Sequence, residues 1–305
     1  MRAKSTTVLA LLSLVAGISL LSAQEKYPVR RLTSDPAREG FPSWSPDGST
    51  LVYSLMDSVD VTRTGLWTVP SKGGEPRQLI NALAEHPDWS LDGHYIVFDA
   101  DTGNSIKLIA SSGGTPIRIV PESIRIYRGG TPCWSPDGSQ VAFREGSALR
   151  VLKVESGQSR IVYEEQGKYP IPSCWTSDGD AIVLYLREQT SMASSIVRVS
   201  TAEGRVENLT SEKDHNYRYS DLSPDGTMLA YTSMESGKYN VWVMPAKGGK
   251  GIQLTEGPGE DGPRWSPDGT AIAFVSRRSG NGDIWVMDVD INHLRNELAA
   301  LNRSE

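Results

Sequence analysis

The sequence predicts an all-β chain folded as a six-bladed β-propeller with four antiparallel strands to a blade, and three observations lead there. A five-residue phrase returns six times: Trp44-Ser45-Pro46-Asp47-Gly48, Trp89-Ser90-Leu91-Asp92-Gly93, Trp134-Ser135-Pro136-Asp137-Gly138, Trp175-Thr176-Ser177-Asp178-Gly179, Leu222-Ser223-Pro224-Asp225-Gly226 and Trp265-Ser266-Pro267-Asp268-Gly269. The Asp-Gly pairs step by 45, 45, 41, 47 and 43 residues, the period of one propeller blade. The intervening segments are short, alternating and rich in branched residues, as strands require.

Each unit is then read strand by strand. The Trp is expected to open an inner strand. Ser-Pro-Asp-Gly reverses the chain, because Pro presets φ, Asp suits the next turn position and Gly takes the left-handed one. The return strand is of the type Leu51-Val52-Tyr53 or Ile272-Ala273-Phe274, and a third strand follows, such as Leu66-Trp67-Thr68-Val69 or Ile284-Trp285-Val286-Met287. Turns such as Gly73-Gly74 and Gly248-Gly249 lead to a short outer strand, for example Gln253-Leu254-Thr255. Of the eight tryptophans, five stand in the repeated phrase and three (Trp67, Trp242, Trp285) on third strands, where they pack blade on blade.

The sixth unit runs out after Met287, one strand short. Val29-Arg30-Arg31-Leu32-Thr33, before the first phrase, matches Val206-Glu207-Asn208-Leu209-Thr210 and Ile252-Gln253-Leu254-Thr255. This segment is therefore expected to complete blade six and close the ring, which protects strand edges that would otherwise template aggregation.

Residues 1–23 carry Arg2 and Lys4, an apolar run from Val8 to Leu21 and Ser22-Ala23, the pattern of a signal peptide cleaved after Ala23. The domain reading is a signal peptide at 1–23, the propeller at 24–291 and a short helical tail at 292–305, in which Asn292 caps a helix with Leu294, Leu298 and Leu301 on one face. Six units of about 44 residues fill the mature chain. Losing Arg2 and Lys4 takes the formal charge from -6 to -8. That value argues against nucleic acid or an anionic membrane as a partner. Cys133 and Cys174 hold equivalent positions in neighbouring blades, and equivalent side chains do not face each other, so two free thiols are expected.

The phrase, the strand after it and the Gly-Gly then Leu-Thr ending resemble the TolB-like propeller repeat over residues 28–290. The resemblance implies a six-bladed propeller of the cell envelope. It is less specific for function, since similar blades occur in the Tol translocation protein and in the gating propeller of prolyl-oligopeptidase-like peptidases. The chain contains no Gly-x-Ser-x-Gly elbow, and His86, His94, His215 and His293 lack zinc-site spacing. The six repeated aspartates occupy one turn each and cannot converge.

What varies between repeats is the segment before each inner strand, expected as a loop at the mouth of the central channel. Glu39, Phe41, Glu85, His86, Arg128, Tyr169, Arg218, Tyr219, Glu260 and Asp261 are the candidate binding residues, with the aromatic and Arg content of an interface. The function read from the sequence is an exported, non-catalytic, monomeric module, periplasmic or secreted, that binds a protein or peptide of the envelope without a cofactor or metal. The alternatives are a lactonase or polysaccharide-lyase propeller acting in the channel, with Glu39, Glu85, His86 and Arg218 as first suspects, or a stand-alone relative of the gating propeller.

Overall fold

The computed structural model describes residues 26–101, 104–124, 126, 129–210 and 216–303. The leader at 1–23, Tyr127, Arg128 and His215 lie outside the described residues. Six four-stranded sheets are present, each antiparallel, and five are built from consecutive strands. The sixth is mixed in origin: Val29–Arg31 pairs with Asp283–Asp288 in the register Val29↔Met287 to Arg31↔Trp285, completing blade six. The reason is visible in side chains. Thr33 Oγ1 accepts the N–H of Ile284 at 2.9 Å, just as Thr210 serves Ile196 at 3.1 Å and Thr255 serves Val241 at 2.9 Å. The Leu-Thr ending thus marks one structural position in blades four, five and six.

Two details differ from the sequence reading. The Trp closes the innermost strand rather than opening it: the inner strands are Arg38–Trp44, Ala84–Trp89, Cys133–Trp134, Lys168–Trp175, Tyr217–Leu222 and Glu260–Trp265. Consequently the segments expected as loops before the strands form, in five blades, the first half of those strands. The cause is a break in register three residues before the Trp position, for example between Gly40 and Ser43 and between Asp261 and Arg264. Such a bulge disguises the strand's alternation.

The turns behave as expected. Ser45 Oγ donates to Asp47 Oδ1 at 2.6 Å, Asp47 Oδ1 accepts the N–H of Ser49 at 3.0 Å, and Gly48 sits at φ 69°. These hydrogen bonds, the Ser45 hydroxyl first, hold the Asp47 carboxyl below its usual range. Among the described residues the apolar side chains form no single central core. Apolar residues gather in layers between blades, as where Leu51, Tyr53 and Val69 of blade one meet Ala273, Ile284 and Val286 of blade six. Each fully buried side chain of that size contributes roughly 1.5–3 kcal/mol.

The tail forms a helix, Ile291–Leu301. Its N-cap is Asp290, not Asn292, because the Asp290 carboxylate accepts from the N–H groups of both Asn292 and His293. Leu294 and Leu298 are buried against Tyr27, Met228 and Leu254, while Leu301 is partly exposed. Arg295 pairs with the turn residue Asp225, which places the helix on the turn face of blades five and six. Among the described residues no helix is long and apolar enough to cross a membrane.

Candidate functional site

The axis of the ring is lined by two tiers of inner-strand side chains. The lower tier is the residue immediately before each Trp position: Ser43, Asp88, Cys133, Cys174, Asp221 and Arg264. Here the side chain accepts a backbone N–H from the next blade. Asp88 Oδ2 takes that of Trp134 at 2.9 Å and Asp221 Oδ2 that of Trp265 at 2.7 Å. The indoles reciprocate, Trp134 Nε1 donating to Asp88 O at 3.2 Å and Trp175 Nε1 to Cys133 O at 3.1 Å. Arg264 cannot accept, so its guanidinium crosses the axis instead, lying 3.6 Å from Asp221, 4.0 Å from Asp88 and 3.2 Å from Ser173 O. Desolvation pushes the Asp221 carboxyl up to about 6, against the opposing pull of Arg264. Both cysteines are free, and burial pushes both thiols up.

The upper tier is the third residue before the Trp position, in the bulge: Phe41, His86, Thr131, Pro172, Tyr219 and Gly262. Phe41, His86, Thr131 and Tyr219 adopt positive φ, at 53°, 50°, 45° and 26°. Bulky residues in this region cost about 1–3 kcal/mol each and cluster at functional sites. The turned side chains meet on the axis. The Phe41 and His86 rings lie 3.9 Å apart, Phe41 and Tyr219 5.7 Å, and Tyr185 stands edge-on to Tyr219 at 5.4 Å. About 20 Å³ remains between them and Arg264, room for one water. Among the described residues the channel therefore ends as a blind pit.

His86 is held from behind. Asp99, on the second strand of blade two, lies 2.8 Å from His86 Nδ1 and also accepts the N–H groups of Gly130 (2.9 Å) and Thr131 (3.2 Å). His86 Nε2 is buried and has no hydrogen-bond partner among the described residues. A buried carboxylate fixing one imidazole nitrogen leaves the other as a proton acceptor or donor.

Above the throat opens a pocket of about 500 Å³ bounded by blades five, six and one. Arg218 stacks on Tyr239, its Cζ 4.1 Å from the ring centroid, and lies 3.6 Å from Asp261, whose carboxyl is raised by burial. Tyr169, across the mouth, carries two guanidiniums, Arg144 at 5.0 Å and Arg187 at 5.2 Å. Glu85 precedes His86, half-buried. Glu39 and Glu260 turn into the blade seams and are buried. Glu39 receives the Thr33 hydroxyl, and desolvation pushes its carboxyl up to about 8. Glu260 Oε1 accepts from Arg278 Nε at 2.6 Å and Ser276 Oγ at 3.1 Å. The structure thus brings Phe41, His86 and Tyr219 together at the throat and Arg218 and Asp261 beside it. Asp99, Tyr239 and the axial trio of Asp88, Asp221 and Arg264 escaped the sequence reading. The column before each Trp was open to inspection there, and its charges at an axial position were the available signal. Among the described residues no three His, Cys, Asp or Glu side chains gather as a metal ion would need.

A TolB beta propeller domain matches residues 215–299. The chain is a six-bladed β-propeller similar to the TolB propeller. The TolB-like propeller is 28% identical over 237 residues to the Tol-Pal system protein TolB of Francisella tularensis, spanning 73% of this chain and 51% of that protein. It is 26% identical over 222 residues to the uncharacterized peptidase YuxL of Bacillus subtilis, spanning 67% of this chain and 31% of the peptidase. The match therefore spans about half or less of these relatives' length. Among solved structures, the putative TolB of Agrobacterium tumefaciens superposes with a TM-score of 0.65 at 19% identity, covering 86% of this chain and 97% of the other. A gluconolactonase of Xanthomonas campestris gives 0.67 at 13% identity, covering 86% and 89%. An oligogalacturonate lyase of Vibrio parahaemolyticus gives 0.63 at 12%, covering 88% and 96%. These structural likenesses speak for the fold alone.

Proposed function

We propose that this TolB-like propeller is an exported, monomeric binding module that takes a protein or peptide of the cell envelope at its channel mouth and performs no chemistry. The observation that carries the reading is the blind pit: four non-glycine residues held in the left-handed region floor a mouth rimmed with Arg and Tyr. Such strain persists only where the surroundings hold it, and arginine with tyrosine is the pairing most used at recognition surfaces. The leader pattern at 1–23 and the likeness to TolB of Francisella tularensis support an envelope location. The test is capture from the host's own envelope fraction by the mature protein and by the Arg218→Ala/Tyr239→Ala variant. Loss of the captured partner in the variant is expected, and recovery of the same partner by both proteins removes the mouth from the reading.

A second reading has one observation behind it, the Asp99–His86 pair with Nε2 unpartnered. A histidine so held is equipped for general acid–base work. Turnover of a lactone or uronate substrate by the purified protein, abolished by His86→Gln, would establish an enzyme of the lactonase or lyase kind in place of a binder.

A further inference from the structure

The 500 Å³ pocket beside the throat has an unbalanced charge. Arg38, Arg218 and Arg277 line it together with Glu39, Glu260 and Asp261. The acids are spoken for: Glu39 is buried against Thr33 and raised, Glu260 is held by Arg278, and Asp261 faces Arg218. Arg38 and Arg277 are exposed and form no ion pair among the described residues. On a chain of net charge -6, this mouth presents guanidinium groups without matching carboxylates. Planar guanidiniums pair with carboxylates through two parallel hydrogen bonds, a geometry lysine does not offer.

The pocket continues outward. A groove of about 910 Å³ along blade one, bounded by Asn281 of blade six, shares Arg38 and Asn281 with it. Its outer wall is the Asp57–Thr64 excursion, which the sequence reading did not foresee. That excursion is stiff: Asp57 Oδ1 accepts the N–H groups of Val59 and Asp60, each at 2.9 Å, and Arg63 ties Asp57 to Asp35. It nevertheless shows Val59 and Val61 to solvent at 94% and 70% of their surface, with Leu83 at 44% opposite. Exposed apolar side chains on a rigid support, next to a charged recess, mark a contact surface.

We propose that pocket and groove form one site for the C-terminal end of an extended peptide, the terminal carboxylate seated among Arg38, Arg218 and Arg277 and apolar residues a few positions upstream lying along Val59, Val61 and Leu83. The inference rests on the binding reading above and deepens it. The throat offers a chain no onward passage along the axis, and the unmatched guanidiniums of Arg38 and Arg277 favour the carboxylate end over the amine. A uronate oligosaccharide shares the carboxylate but has no apolar side chains to cover the groove, so the peptide is the better fit.

The test uses a fluorescein-labelled heptapeptide pool randomised over Leu, Val, Phe and Ser, made as the free acid and as the C-terminal amide, with binding read by anisotropy and trigalacturonate as competitor. The free acid is expected to bind about tenfold tighter than the amide or better, as loss of a charge-assisted pair implies. Arg277→Gln and Arg38→Gln, both at exposed sites, should shrink that ratio, whereas Val61→Ser should weaken acid and amide alike. Equal affinity of the two forms, no binding of either, or trigalacturonate binding at the arginines without displacing the peptide would each overturn the subsite. Capture of an envelope partner, tested separately, decides the broader reading.

Discussion

Arg264 supplies the only positive charge in the lower tier, and two half-buried carboxylates depend on it. Asp221 and Asp88 both approach its guanidinium across the axis, and burial raises both carboxyls. Removing one partner of a buried ionic group costs about 3–5 kcal/mol, because the charges left behind lose their compensation. Arg264→Met is therefore expected to lower unfolding free energy by roughly that amount at pH 7.5. The sign with pH follows from Asp221. Its folded value, about 6, lies above its ordinary value of 3.8, so its contribution to stability is complete below the ordinary value and is lost as pH rises through about 6. Without Arg264 the carboxyls should hold protons still more tightly, so the variant's deficit should shrink at pH 5. Urea unfolding at the two pH values checks this, and an equal deficit at both would contradict it. The equivalence of Cys133 and Cys174 was legible from their place before the Trp. The reach of Arg264 was not, because a contact across the axis exists only once the ring has closed at a particular radius. The His86–Asp99 contact was hidden for a similar reason: the bulge turns His86 to positive φ, and no alternation pattern reports that turn.

At the scale of elements, the seam between the first strand and the last blade is the most consequential. Thr33 accepts the Ile284 N–H and donates to Glu39, in a position that Thr255 repeats in blade five. Thr33→Val should leave a buried N–H without an acceptor and cost about 1–3 kcal/mol. Thr255→Val should cost a similar amount by orphaning Val241, which thermal unfolding of the two variants compares directly. Glu39 adds a pH dependence to the seam. Desolvation raises its carboxyl to about 8 from 4.5, so stability it contributes in the protonated form is present below the ordinary value and declines as pH rises through about 8. Glu39→Gln, permanently neutral, should flatten the stability profile between pH 6 and pH 9, by an amount on the order of 2–4 kcal/mol at the upper end. An unchanged slope would show that Glu39 does not titrate in this window. The strands were readable because their branched alternation and turn residues act locally. The 3-10 turn at Val61–Arg63 was not, since what starts it is capping by the Asp57 and Asp60 side chains rather than a periodic pattern.

For the molecule as a whole, the ring has no core apart from the layers between its blades, so stability and closure are the same property. Blade six contributes Phe274, Met287 and Trp265 to one layer and Ile284 and Val286 to the next. Its third strand is covered on the outside by only three paired residues, Val29–Arg31. Leu32 N–H and Thr33 N–H both reach Ile284 O, at 2.8 and 3.3 Å, extending that narrow closure by one carbonyl. A chain starting at residue 34 would leave the edge of Asp283–Asp288 bare, with its N–H and C=O groups free to pair with another copy. It would also expose the layer that Tyr27 and Val29 help to cover, including the floor on which Leu294 and Leu298 of the C-terminal helix rest. The expected outcome is loss of the single cooperative transition together with self-association, read by calorimetry and light scattering, whereas a chain starting at residue 26 keeps both a sharp transition and one size. Adding a synthetic peptide of residues 26–36 should restore the transition in proportion to its concentration, because strand addition from solution replaces the missing pairing at the cost of association entropy. Failure of the peptide to rescue, with the shortened chain still folded and monodisperse, would mean that the five complete blades and the helix hold the ring without its closing strand.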